Sequence, residues 1–288
     1  MMPRHLLRLL VVAWLALVAP ARAEWLAPLS AETAETIGGG RAQVGLGASY
    51  ANDGRYPGFT PPDEIRWQSL TVGPAIGFRI APADVVEIQA SYEFLNNDEN
   101  TVSGGKQSNY GGGDARLFTK LWAVRERTWI PGIGVRFGVK LPNASKEDHL
   151  GTDETDFLMQ VLGSKRFGDW ATHLNLGFAI LGNPGFYGAD PSGQDDLFTY
   201  DIAVVTPFLG RATADDWGLR GLLEIDGATG SRFDNDFTEV RGGPQVTIGG
   251  WTMYLGVTGG IDGAAPTYGF SGGAFYTFEL ERLAAVFE

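Results

Sequence analysis

The chain has 288 residues, with 41 Gly, 17 Phe, 9 Tyr, 8 Trp and no Cys; 19% are charged and the formal charge is -12. The glycine excess has no G-X-Y period, which excludes collagen, and low charge with many aromatics excludes a disordered chain. Without Cys there are no disulfides, thiolate metal sites or Cys nucleophiles, and the acidic balance argues against a nucleic-acid partner.

Residues 1–23 have the plan of an export signal. Arg4 and Arg8 precede an apolar run from Leu9 to Ala19, and Ala21-Arg22-Ala23 gives a small-x-small cleavage site. That run is shorter than the ~20 residues needed to span a bilayer, so it is not read as an anchor. Residues 24–40 carry Glu32 and Glu35 and end in Gly38-Gly39-Gly40. They are expected to be either a periplasmic leader or a short plug entering a lumen.

No later segment is a long uncharged apolar run. Membrane insertion therefore requires a closed barrel, in which every backbone hydrogen bond is made between strands. The remaining sequence alternates with period 2. Ala115, Leu117, Thr119, Leu121 and Ala123 share one face, while Asp114, Arg116, Phe118 and Lys120 share the other. The pattern predicts twelve strands, at 41–51, 64–80, 85–95, 113–124, 128–141, 155–167, 170–182, 197–208, 217–226, 237–248, 251–261 and 267–280.

The connections between these strands alternate between short and long. That is the plan of a twelve-stranded antiparallel β-barrel, residues 41–288, in the outer membrane of a diderm bacterium, with a periplasmic N-terminus. Trp129, Trp170, Trp217 and Trp251 each follow a short turn, where an aromatic girdle would lie. Gly73-Pro74 and Gly242-Gly243-Pro244 predict bends or bulges. Acidic clusters such as Asp98-Glu99, Glu147-Asp148 and Asp153-Glu154 read as solvated loop surface, with cation bridging to lipid headgroups as the alternative.

Turning the polar faces inward puts seven bases in the lumen: Arg79, Arg116, Lys120, Arg136, Lys140, Arg220 and Arg241. The matching acids are Glu87, Glu93, Asp114, Asp201, Glu224, Glu239 and Glu279. The two signs nearly balance. The interior is therefore either a polar path for a solute, with the bases of 113–124 and 128–141 facing the acids, or a salt-bridged filling that holds the barrel closed.

Catalytic signals are few. Gly269-Phe270-Ser271-Gly272-Gly273 fits G-x-S-x-G, but no helix follows to build a nucleophile elbow. The turn at Gly168-Asp169 sets Ser164 opposite His173, with Asn175 two residues on. Those three could activate a nucleophile. Twelve-stranded outer-membrane phospholipases also use Ser, His and Asn, but with His two residues before Ser, a spacing absent here. A hydrolase is kept as an alternative to a non-enzymatic barrel. No pair of His residues has a metal-ligand spacing, and neither a metal nor a cofactor is expected.

Gly138-Val139-Lys140-Leu141-Pro142, Leu150-Gly151-Thr152-Asp153-Glu154-Thr155-Asp156-Phe157, Trp170 and Asn175-Leu176-Gly177-Phe178 resemble the outer-membrane family labelled MetA-pathway of phenol degradation. The resemblance spans roughly residues 113–182. It implies a barrel that moves small, often aromatic or hydrophobic, molecules. The expected function is passive uptake of such solutes, with outer-membrane lipid, a small-molecule solute and the barrel insertion machinery as partners; the oligomeric state stays open. The alternative is a non-conducting structural or surface-binding barrel.

Overall fold

A computed structural model describes residues 29–52, 65–101, 105–182, 196–213, 216–230, 236–262 and 265–281. The expected export signal lies outside the described residues. Fourteen strands form one sheet: β1 (Arg41–Asn52), β2 (Ile65–Ala83), β3 (Val86–Thr101), β4 (Lys106–Gly112), β5 (Ala115–Val124), β6 (Gly132–Leu141), β7 (Asp156–Phe167), β8 (Trp170–Ile180), β9 (Leu197–Val205), β10 (Leu209–Gly210), β11 (Gly218–Thr229), β12 (Phe237–Ile248), β13 (Trp251–Gly260) and β14 (Tyr268–Glu279). Twelve of them build a closed antiparallel barrel. β4 extends the line of β5 along β3, and β10 is a two-residue addition at the edge of β11.

Closure is made where β1 pairs with β14 along its whole length, from Arg41 opposite Glu279 to Asn52 opposite Tyr268. β9 pairs with β11 across the connection that carries β10. A closed ring leaves no unpaired strand edge, which is the condition for strands to cross lipid.

Burial along each strand is inverted relative to a soluble sheet. On β8, His173, Asn175, Gly177 and Ala179 are buried, while Leu174, Leu176, Phe178 and Ile180 between them are exposed. On β5, Lys120 is 1% exposed and Leu117 is 47% exposed. The polar residues face the interior and the apolar ones form the outer wall, as a bilayer requires. Trp129 lies in the turn before β6 and is 92% exposed, and Trp170 and Trp217 are also exposed at the short-turn end. Trp251 opens β13 at that end and packs on Tyr276.

Most predicted strand ends move by one to four residues, and the end of β3 moves furthest. The segment 96–112 is mostly a hairpin, because β3 runs on to Thr101 and pairs with β4. Asn96 to Thr101 are polar on both faces, so the extension carries no apolar alternation. Glu99 is consequently not solvated loop surface: it is buried, and its carboxylate accepts from His149 Nδ1 at 2.9 Å. The β2–β3 register shifts between Val72 and Ala75, around Gly73-Pro74. Across β12–β13 the ladder skips Gly243 and Pro244 without any register shift, since proline has no N–H to give.

Residues 29–40 run inside the barrel before β1 begins. Ala31 to Ile37 are each at most 6% exposed. Gly38 and Gly40 have φ of 93° and 76°, a region open to glycine at little cost, and there the chain reverses from the interior into the wall. The reversal is fixed by the Gly40 N–H on the Ala81 carbonyl at 2.8 Å and the Leu280 N–H on the Gly40 carbonyl at 2.7 Å.

Candidate functional site

The interior is organised around Glu32. Its carboxylate accepts from Arg79 Nη2 at 2.6 Å and Nη1 at 3.2 Å, a two-point grip, and from Lys120 Nζ at 3.2 Å. Lys120 also lies 3.2 Å from Glu87, and Arg79 lies 3.5 Å from it. Gln89 Nε2 donates to Glu87 at 2.7 Å and accepts on Oε1 from Arg136 Nε at 2.9 Å. Arg136 Nη1 donates to Gln160 at 3.0 Å. One network thus ties β2, β3, β5, β6 and β7 to the N-terminal segment.

The main chain of that segment is held by side chains from other walls. Asn175 accepts the Glu32 N–H at 2.7 Å and donates to the Glu32 carbonyl at 2.8 Å. Ser164 Oγ accepts the Ala34 N–H at 2.8 Å, and Glu87 accepts the Ile37 N–H at 2.7 Å. Glu224 accepts from the N–H groups of Leu29, Ser30 and Ala31 and from the Ser30 hydroxyl. A strand inside a sheet would satisfy these groups with another backbone. Here β3, β7, β8 and β11 satisfy them with side chains.

Ser164, His173 and Asn175 do converge, with Ser164 Oγ 2.8 Å from His173 Nδ1. Asn175, however, bonds the main chain of Glu32, and the Ala34 N–H occupies Ser164. In this arrangement Ser164 and Asn175 bind a peptide segment while His173 bonds Ser164, and a substrate carbonyl would have to displace Ala34 to reach Ser164.

The other lumen residues fall into two groups. Arg116 pairs with Glu93 at 2.6 Å, and Lys140 pairs with Asp156 at 2.7 Å and Asp114 at 3.3 Å. With Arg79, Lys120 and Arg136 they give this side of the interior an excess of bases over Glu87 and Glu93, which β3 places between β2 and β5. Asp201, Glu224, Asp226 and Glu239 occupy β9, β11 and β12, where Asp201 stands opposite both Asn175 and Asp226. Arg241 reaches Asp226 at 3.2 Å and also bonds Glu239. Arg220 bonds the neutral Gln245 at 2.6 Å and sits over the Phe208 ring.

Sequence reasoning missed Glu32 as the hub, the three glutamines and Asp226. Its available signal for Glu32 was a pair of acids in a segment without strand alternation. Among the described residues no group of His, Asp or Glu converges as a metal site.

At the short-turn rim, Glu126 accepts from Lys165 Nζ at 2.8 Å and from the Arg166 N–H at 2.9 Å. Burial pushes its carboxyl up, but these donors and the two positive charges outweigh burial and hold it below the usual carboxylate range.

No family model matches the chain, and no curated protein matches it. Solved structures do. The chain is similar to the COG4313 outer membrane channel from Pseudomonas putida F1, with TM-score 0.63 and 14% identity over 88% of this chain and 100% of that one. It is also similar to the translocator domain of the autotransporter NalP from Neisseria meningitidis, with TM-score 0.53 and 12% identity over 84% and 89% of the two chains. With the closed ring and apolar outer wall, these likenesses make the fold that of an outer-membrane β-barrel of a Gram-negative bacterium.

Proposed function

We propose that the chain is an outer-membrane channel for passive uptake of small solutes, held closed by residues 29–37 acting as a plug in its periplasmic half. The observation that carries this reading is the main chain of Leu29 to Ile37, buried from Ala31 onward and bonded by side chains of four strands. Each such bond contributes only about 0.5–1.5 kcal/mol, or about 1.5–3 kcal/mol with a charged partner. The segment is thus held by many modest contacts that can be exchanged one at a time.

An open polar lumen would lower the cost of carrying a solute past ~25 Å of apolar barrier, and diffusion would do the rest. The name of the Pseudomonas putida neighbour, an outer membrane channel, supports the class. The finer family label, MetA-pathway of phenol degradation, belongs to the same reading and makes the solute aromatic or hydrophobic. Outer-membrane lipid around the wall and the barrel insertion machinery are its other partners in this account.

The test is single-channel recording in a planar lipid bilayer, comparing the intact protein with a form lacking residues 29–37. The deletion is expected to raise conductance several-fold. Two equally silent proteins, both folded by gel mobility before and after boiling, would instead favour a non-conducting structural barrel.

A further inference from the structure

A cavity of about 140 Å³ is lined by Arg79 and Arg136, by Gln43 and Gln89, and by the rings of Phe118 and Phe275. Gly77 forms part of its wall, and a Cβ added there would meet nothing within 4 Å.

The two guanidinium groups differ. Arg79 is committed to Glu32 and Glu87. Arg136 sits over the Phe118 ring, 3.6 Å from its centroid, and donates only to the neutral Gln89 and Gln160. Among the described residues it has no carboxylate within 4 Å. Two of its five N–H donors are used. Arg79, Lys120 and Arg136 outnumber Glu32 and Glu87 in the directly paired cluster by one, and Asp201 on β9 acts on Arg136 only from beyond 4 Å. Arg136 is half-buried, and a monoanion bound directly to it would supply the close counter-charge it lacks. The volume is close to the ~150 Å³ cavity that admits benzene.

We propose that this cavity binds a small monocarboxylate with a compact aromatic body. The carboxylate accepts the unused N–H groups of Arg136, and the ring packs on Phe118 and Phe275. This deepens the uptake reading by naming its solute class, and rests on that reading for transport, though not for binding.

The test is a calorimetric titration of the protein purified from outer membranes in detergent. The probes are sodium benzoate, benzyl alcohol (the ring without the charge) and sodium acetate (the charge without the ring). Benzoate is expected to bind saturably at one site, at least tenfold more tightly than either comparator. Arg136→Gln is expected to weaken benzoate at least tenfold and leave benzyl alcohol unchanged. Gly77→Leu, which fills the cavity and leaves every charge in place, is expected to abolish benzoate binding in protein that still shows the boiled-versus-unboiled gel shift.

No saturable benzoate binding by the native protein, or equal affinity in the folded variants, overturns the proposal. Acetate binding as tightly as benzoate overturns the aromatic part. Bilayer conductance reads the uptake account separately. A silent protein that binds benzoate supports the pocket against the channel, and a conducting protein that does not bind it does the reverse.

Discussion

The basic and acidic walls of the barrel interior hold the same segment by different means. On β2 and β5, Arg79 and Lys120 grip the Glu32 side chain, a charge supplied by the segment itself. On β11 the relation is reversed: Glu224 supplies the charge, and the segment answers with the N–H groups of Leu29, Ser30 and Ala31. The bases of β2 and β5 bind by ion pairs, whereas Glu224, like Glu87 on β3 with the Ile37 N–H, binds main-chain dipoles. A twelve-residue stretch can thereby bridge two surfaces of opposite sign while carrying few charges of its own. The comparison teaches that the lumen's near balance of charge is not mixed evenly. Bases outnumber the acids of β3 on one side, acids outnumber Arg220 and Arg241 on the other, and the N-terminal segment joins the two.

The comparison can be broken most severely at Lys120. This side chain is 1% exposed and bridges Glu32 and Glu87. Lys120→Met leaves both carboxylates short of a partner and is expected to cost about 3–5 kcal/mol, read from urea unfolding in lipid vesicles. On the acidic wall, Glu224→Gln keeps an acceptor for the N–H groups and should cost less, about 1–3 kcal/mol in the same assay. An equal or larger loss at Glu224 would contradict the division of labour between the walls.

Asn175→Ala leaves the Glu32 N–H and carbonyl unbonded and is expected to expose the segment to protease while costing about 1–3 kcal/mol. Ser164→Ala removes one acceptor and should cost about 1 kcal/mol. If purified protein hydrolyses an ester and Ser164→Ala abolishes that activity, the peptide-holding account of Ser164, His173 and Asn175 fails.

The smallest effect lies at the rim. Glu126 is held below the usual carboxylate range in the folded protein, so its pairing stabilises fully above the unfolded value near 4.3 and fades as pH falls through the folded value. The stability difference between the native protein and Glu126→Gln is expected to be under about 1 kcal/mol at pH 7 and to shrink below about pH 4, in acid titrations of unfolding. A difference that grows on acidification would reverse the sign.

Most of the barrel was legible because lipid imposes a two-residue period. Leu117 outward and Lys120 inward on β5 follow from alternation alone, as does the pairing of Ser164 with His173 across a two-residue turn. Past the apolar band that rule stops. Asn97 and Glu99 turn inward on β3 like Glu93, yet their neighbours Asn96 and Asp98 are polar too, so the strand appeared to end early.

The lumen charges were legible as a set but not as partners. Register places Arg116 opposite Lys140, whereas their counter-ions come from Glu93 and Asp156 on other strands. The N-terminal segment was least legible. Its main chain is bonded at long sequence separation by Asn175, Ser164 and Glu224, and no local pattern in residues 29–37 records those contacts.

The absence of cysteine permits a direct test of that segment as the closing element. A Cβ at Gly132 would lie 3.7 Å from the Ala34 Cβ, within the usual span of a disulfide. The paired substitutions Ala34→Cys and Gly132→Cys would lock the segment to β6 under oxidation and free it under reduction. In planar bilayers the oxidised protein is expected to lose the openings that exchange of the segment's contacts gives the unmodified protein, and reductant added to the same bilayer is expected to restore them and the average conductance they carry. Equal conductance before and after reduction, with the disulfide verified on a gel, would contradict the account.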